Sequence, residues 1–574
     1  MKYYCNPLNM EYRYQFNTVG ENQLQIAREA ADPSMICFQG KYYLFASMTL
    51  EVWVSEDMVE WKSYRLPDNL PLYDYAPDVR VLNGYVYFSA SKRGEISDFY
   101  RTKDVINGPY EKIAGTFEFW DPNLFVDDDK KVYFYWGCTN TEPVYGVELN
   151  PEDMKPISEK RALIYDNMEE KGYERSGEDH SEQPLTGEVH KQFQVFPGSR
   201  PFIEGAWMDK YKGKYYLQYA APGTEYNIYL DGVYVGEHPL GPFELAPNNP
   251  YSYKPGGFIP GAGHGSSMWD MDGNFWHTST MRISTNHIFE RRVGLWPAGF
   301  DKDGELFCDQ RYGDWPMKVE PGKREVFAQP EWYLLSYGAN MSASSVATEH
   351  EPEKAADENV QTWWKAKGQK SGEWLAMDLG ESCMIHAVQI NFADDKPTTK
   401  LPEGAVKQTA ITPRYIDERT HCTRWKLEAS VDGEEYFMVE DKSQVETNLP
   451  HDLIVKEAGV SARYLKLTIY EVPFQEAACI SGLRVFGKAV GEKPAVPAFN
   501  VVRNGDLDMT VTIGETAAMG YNILWGHEAE KLYHSYMVFG KQKTIGALVK
   551  GMDYYVRVDA FNKSGITEGI VTKV

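Results

Sequence analysis

Apolar and polar residues alternate with a period of two through most of the chain, and one such pattern recurs. A turn followed by an aromatic-rich strand is read at FQGKYYLFAS (38–47), LNGYVYFSAS (82–91), DDKKVYFYWG (128–137), YKGKYYLQYA (211–220) and MDGNFWHTST (271–280). Each copy opens on Gly, Asp, Asn or Lys residues suited to a tight hairpin, then alternates aromatic with small or polar residues, as a half-buried strand requires. The starts lie 44, 46, 83 and 60 residues apart. A unit of roughly 45 residues holding several strands is the size of a propeller blade. Five such units predict a five-bladed β-propeller, with the polar stretch 174–192 as a long loop on its axial face.

The pattern changes after the proline-containing segment 314–332, which reads as a linker. Beyond it ASS (343–345), AADEN (355–359), TWWKA (362–366), EWLAMDLG (373–380) and LRVFGK (483–488) alternate as the strands of a β-sandwich would. A second proline joint, 491–500, leads to YNILWG (521–526) and LVKGMDYYVRVDAFNKSG (548–565), a further small sandwich whose reading is that of a spacer. The fold class is therefore all-β, a five-bladed β-propeller followed by two β-sandwich domains. The expected boundaries are 1–325, 335–489 and 495–574.

Composition narrows the ligand. The 574 residues carry 59 Lys plus Arg against 83 Asp plus Glu, a net charge of −24 that disfavours nucleic acid and anionic membranes as partners. Aromatic residues make up 14%, and rings of that abundance suit both β-sheet packing and stacking on sugars. The seven cysteines, among them Cys138, are scattered without metal-ligand spacing, so no disulfide framework is expected. No basic segment followed by an apolar run opens the chain, so a cytoplasmic protein is expected, the alternative being a secreted protein whose leader has been removed.

Candidate chemistry follows from the repeat. Asp32 lies six residues before 38, and Asp121, Glu204 and His264 lie seven before 128, 211 and 271; Asp78 is four before 82. The first strand of each blade lines a propeller's axis, so these positions converge although they are distant in sequence. Carboxylates gathered in an apolar pocket have raised or split pKa values, which lets one act as acid and another as base. That pair is what glycoside hydrolysis needs. Glu178, Asp179, His180 and His190 lack the spacing of a metal motif.

Residues 20–310 resemble glycoside hydrolase family 43 through ADPSM, Ser55 to Trp61, APD at 76–78, WDPNLFVDDD, IEGAWMDKYKGKYYLQYA and GHGSSMWDMDG. The resemblance implies Asp32 as general base, Glu204 as general acid and Asp121 as the residue that tunes and orients the acid, in an inverting mechanism. It also implies a sugar-binding arginine, Arg292 with Arg291 as the alternative, and His264 as a water-mediated holder of a structural calcium or sodium ion, no cofactor being required. Trp207 and Trp120 stand next to the carboxylates as candidate sugar-stacking walls, with Asp78 as a further substrate contact. The expected activity is exo-acting release of terminal pentose or furanose from oligo- or polysaccharide: α-L-arabinofuranose, then β-D-xylose, then β-D-galactofuranose. A non-catalytic sugar-binding propeller is the alternative. The second module resembles the discoidin-like sandwich of carbohydrate-binding modules, and the last resembles fibronectin type III.

Overall fold

The computed structural model describes residues 2–19, 23–72, 76–92, 95–113, 117–181, 200–401, 403, 406–407 and 414–574. The expected axial loop lies for the most part outside them, as does His190.

Five four-stranded antiparallel sheets follow one another along the first part of the chain, each built from consecutive strands. Their innermost strands are β1 (Ala31–Phe38), β2 (Asp78–Leu82), β3 (Asn123–Val126), β4 (Glu204–Tyr211) and β5 (Gly263–Trp269). Each packs on the next, and β5 returns to pack on β1, so the five sheets close as the blades of a propeller. The repeats are the turn and second strand of each blade. In three of them two residues with positive φ make the turn: Gln39-Gly40, Asn83-Gly84 and Lys212-Gly213. That geometry matches the right-handed twist of the paired strands.

One backbone device recurs at the axis. Asp32, Ala76, Asp121, Gly205 and His264 have φ of 51°, 43°, 50°, 59° and 46°, one left-handed residue where each innermost strand begins. In the first, fourth and fifth blades the pairing register slips at this point, as at a bulge that re-aims a side chain. Two rings of hydrogen bonds hold the device. The left-handed residue donates its N–H to a side chain of the preceding blade: Asp32 to Thr280 (2.9 Å), Ala76 to Ser47 (2.9 Å), Asp121 to Ser91 (3.1 Å) and His264 to Asp231 (2.7 Å). Two residues further on, a side chain accepts from the following blade: Ser34 from Val79 N, Asp78 from Leu124 N, Asn123 from Met208 N and Ser266 from Met35 N. Ser47, Ser91 and Thr280 are each the last residue of their repeat, so the repeat itself encodes the lock.

The second module is a sheet of eight strands dominated by Glu373–Phe392 and His451–Glu471, around a core that includes Trp364, Leu375 and Trp425. The last sets Phe499–Arg503, Met509–Ile513 and Gln542–Ile545 against a sheet containing Gly520–Gly526 and Tyr555–Asn562. It is not a spacer. Val511, Trp525 and Tyr536 share one hydrophobic core with Leu217, Tyr219 and Tyr253 of the propeller. Arg175 pairs with Asp508 at 2.7 Å, and Gly172 N donates to Leu548 O at 2.8 Å. A core shared across two modules cannot be exposed without loss of burial on both sides.

Candidate active site

The left-handed residues of blades one, three and five turn Asp32, Asp121 and His264 to the axis, and Glu204 precedes the left-handed Gly205 of blade four. His264 sits between the carboxylates: its Nδ1 is 3.4 Å from Asp32 Oδ1 and 3.8 Å from Asp121 Oδ2. Close approach is made by the glycines. A Cβ on Gly205 would stand 2.7 Å from His264 Cγ, and one on Gly265 would stand 2.2 Å from His277 Cε1. Only glycine fits either place.

Two donors hold Glu204. Tyr229 donates its hydroxyl to Oε1 at 2.5 Å, and Cys138 its thiol to Oε2 at 3.2 Å. Ligand atoms of Asp121, Cys138 and Glu204 all lie within 4.8 Å of one another, a group that Asp32 does not join. Asp32 has other partners. Arg291 Nη1 is 3.3 Å from its Oδ1, and Arg291 is held in turn by Glu29, whose Oε1 accepts from Nε at 2.7 Å.

The electrostatics follow from this crowding. Burial pushes the Asp121 carboxyl up, His264 opposes the shift, and Glu204 and Asp32 add to it, leaving the group at about 7. Burial works against charge on His264, but Asp32, Asp121, Glu204 and Asp231 outweigh it and raise the imidazole above its usual value. Asp231 fixes the histidine from below: it accepts from the backbone of His264 and Gly265 and lies 3.0 Å from His277 Nε2.

A hard cation takes six to eight oxygen ligands; beside His264 the side chains supply the carboxylates of Asp32 and Asp121, both near Nδ1, so an ion there would be held largely through water.

Three expected substrate contacts move elsewhere. Arg292 is 2% exposed, donates from Nε to His451 of the second module at 3.0 Å, and faces away from the axis; Arg291 is the arginine at the site. Adjacent residues of a strand point to opposite faces, so one step of register decides between them. Asp78 is 2% exposed and bonded to Asn123 and Leu124, a link between blades, because the residue equivalent to Asp32 in the second blade is Ala76. Trp207 is 4% exposed and covered by the Arg80 guanidinium, 3.4 Å from its ring centroid, so it is no open wall. Trp120 is half-buried beside Asp121. Glu178, Asp179 and His180 bind Arg282, Lys543 and Tyr253, respectively.

The sequence reading missed Tyr229, Cys138 and Glu29. Cys138 directly follows the last residue of the third repeat, which is the one signal that could have found it.

Comparison with known proteins adds to this geometry. The model of glycosyl hydrolases family 43 matches residues 25–306. Xylosidase/arabinosidase 43A of Humicola insolens is 26% identical over 345 residues, covering 49% of this chain and 96% of that protein. A xylosidase/arabinosidase of Bacteroides ovatus is 24% identical over 259 residues, covering 37% of this chain and 75% of that protein. Among solved structures, a thermostable family-43 glycoside hydrolase aligns at 20% identity with a TM-score of 0.42, over 56% of this chain and 99% of that one.

Proposed function

We propose that the chain, whose residues 25–306 match glycosyl hydrolases family 43, is an exo-acting, inverting glycosidase releasing terminal α-L-arabinofuranose or β-D-xylose from oligo- or polysaccharide. One observation carries the reading: carboxylates from three different blades meet around a single histidine, two of them clustered with Cys138 and the third held separately by Arg291. The relatives named xylosidase/arabinosidase support the choice of sugar.

In this mechanism Glu204 gives its proton to the glycosidic oxygen as the bond to the anomeric carbon breaks. Tyr229 and Cys138 then donate to both oxygens of the carboxylate left behind. Asp32 takes a proton from a water molecule, whose oxygen attacks the anomeric carbon from the opposite face. Inversion needs acid and base roughly 6.5 to 9.5 Å apart to admit that water. Asp121 and His264 act on charge: Asp121, pushed up by burial to about 7, limits the negative charge gathered at the axis, and the imidazole offsets the charge that remains after proton transfer. Solvent exchange returns the proton from Asp32 to Glu204.

Hydrolysis of nitrophenyl α-L-arabinofuranoside, β-D-xyloside and β-D-galactofuranoside tests the proposal. Turnover of either of the first two supports it. Binding without turnover of all three favours a sugar-binding propeller instead.

A further inference from the structure

Among the contacts between the second module and the propeller, one is a strand pairing. The module's strand Arg414–Ile416 lies antiparallel to Tyr14–Val19, whose other partner is Gln23–Arg28, the strand that leads into Glu29 and Asp32. Arg414 is 8% exposed, donates from Nε to Asn17 at 2.7 Å and places Nη1 3.9 Å from Glu29 Oε2. The other oxygen of Glu29 holds Arg291 at 2.7 Å, and Arg291 stands 3.3 Å from Asp32.

We infer that Arg414, supplied by the second module, is a positioning residue for hydrolysis, acting on Asp32 through Glu29 and Arg291. This rests on the reading of Asp32 as the base. Glu29 is 1% exposed, and a carboxylate so buried must be matched by positive charge. Arg291 holds Oε1 through both Nε and Nη2 at 2.7 Å and Arg414 stands beside Oε2, so both guanidiniums share in offsetting its charge. Removing Arg414 concentrates that charge on Arg291 and draws its guanidinium toward Glu29, away from Asp32. The charged and titratable groups facing Asp32 are Arg291 from blade five, His264 from β5, and Asp121, Glu204 and Tyr229 across the axis. Arg414 biases the first of these from another module.

The test compares Arg414→Met and Arg414→Lys in the full chain, by kinetics and crystallography. Arg414→Met is expected to lower kcat/KM about tenfold, mainly in kcat, with the acidic limb of the pH profile moved upward and the Arg291–Asp32 distance lengthened. Arg414→Lys, which keeps the charge, retains most of the activity. The inference is overturned if Arg414→Met leaves the Arg291–Asp32 distance and the pH profile unchanged, or if both variants lose equal activity together with thermal stability, as a docking role alone would give. Wild-type inactivity on every glycoside would sink the proposed function instead, and the crystallographic distance would still decide the role of Arg414.

Discussion

Gly205 lies so close to His264 that a Cβ on it would stand 2.7 Å from the imidazole Cγ. The residue following the proposed acid thus sets the place of the group that joins blades one and three. With φ of 59° as well, Gly205→Ala is strained twice over. The substitution is expected to cost about 1–3 kcal/mol of stability and to lower kcat more than KM, because the histidine must move from Asp32 and Asp121. Thermal melting and steady-state kinetics check both.

Glu204→Gln removes the transferable proton and keeps the shape. Turnover of a disaccharide, with its poor leaving group, is expected to fall about a thousandfold, while a dinitrophenyl glycoside, which leaves without protonation, loses far less. Equal losses on both substrates would remove Glu204 from the acid role.

Arg291 and Arg292 are neighbours with separate duties, and their methionine variants should separate accordingly. Arg291→Met is expected to lower kcat/KM about a hundredfold by removing the guanidinium beside Asp32. Arg292→Met removes a donor to His451 between modules and should show mainly as a lower melting temperature.

Asp121 makes stability depend on pH in a stated direction. Its carboxyl stands at about 7 in the folded chain against 3.8 as reference, so the folded state binds this proton more tightly than the unfolded one. Ionisation therefore costs stability progressively as pH rises from about 4 to about 7, and the whole cost is present above that. Asp121→Asn relieves it. The melting-temperature gain of the variant over wild type should be small near pH 4 and largest above pH 7; a gain independent of pH would contradict the assignment.

The shared core between the last sandwich and the propeller has its own consequence. A chain ending at residue 490 exposes Leu217, Tyr219 and Tyr253 and is expected to be aggregation-prone and largely inactive, as solubility and activity assays will read.

The axis was legible from sequence for a physical reason. A repeat fixes register, and register places Asp32, Asp121, Glu204 and His264 without any knowledge of their contacts. Errors arose where register was counted from the wrong landmark. Measured from the turn, Asp78 falls near the carboxylate row; measured from the proline after the left-handed residue, as in Asp32-Pro33, Ala76-Pro77 and Asp121-Pro122, it falls one layer deeper. Arg291 and Arg292 differ by one step of a period-two strand, which no composition argument resolves. Tyr229, Glu29 and Arg414 lie outside the repeat, and their parts depend on contacts between elements far apart in the chain.

The most direct test of Asp32 as base and Glu204 as acid is the stereochemistry of a single turnover, followed by proton NMR on whichever glycoside is cleaved. A base that activates water predicts that the first sugar released has the anomeric configuration opposite to that of the substrate, with the retained anomer appearing only later by mutarotation. Immediate release of the retained anomer would mean that a carboxylate attacks the sugar directly, and would contradict the roles given to both residues.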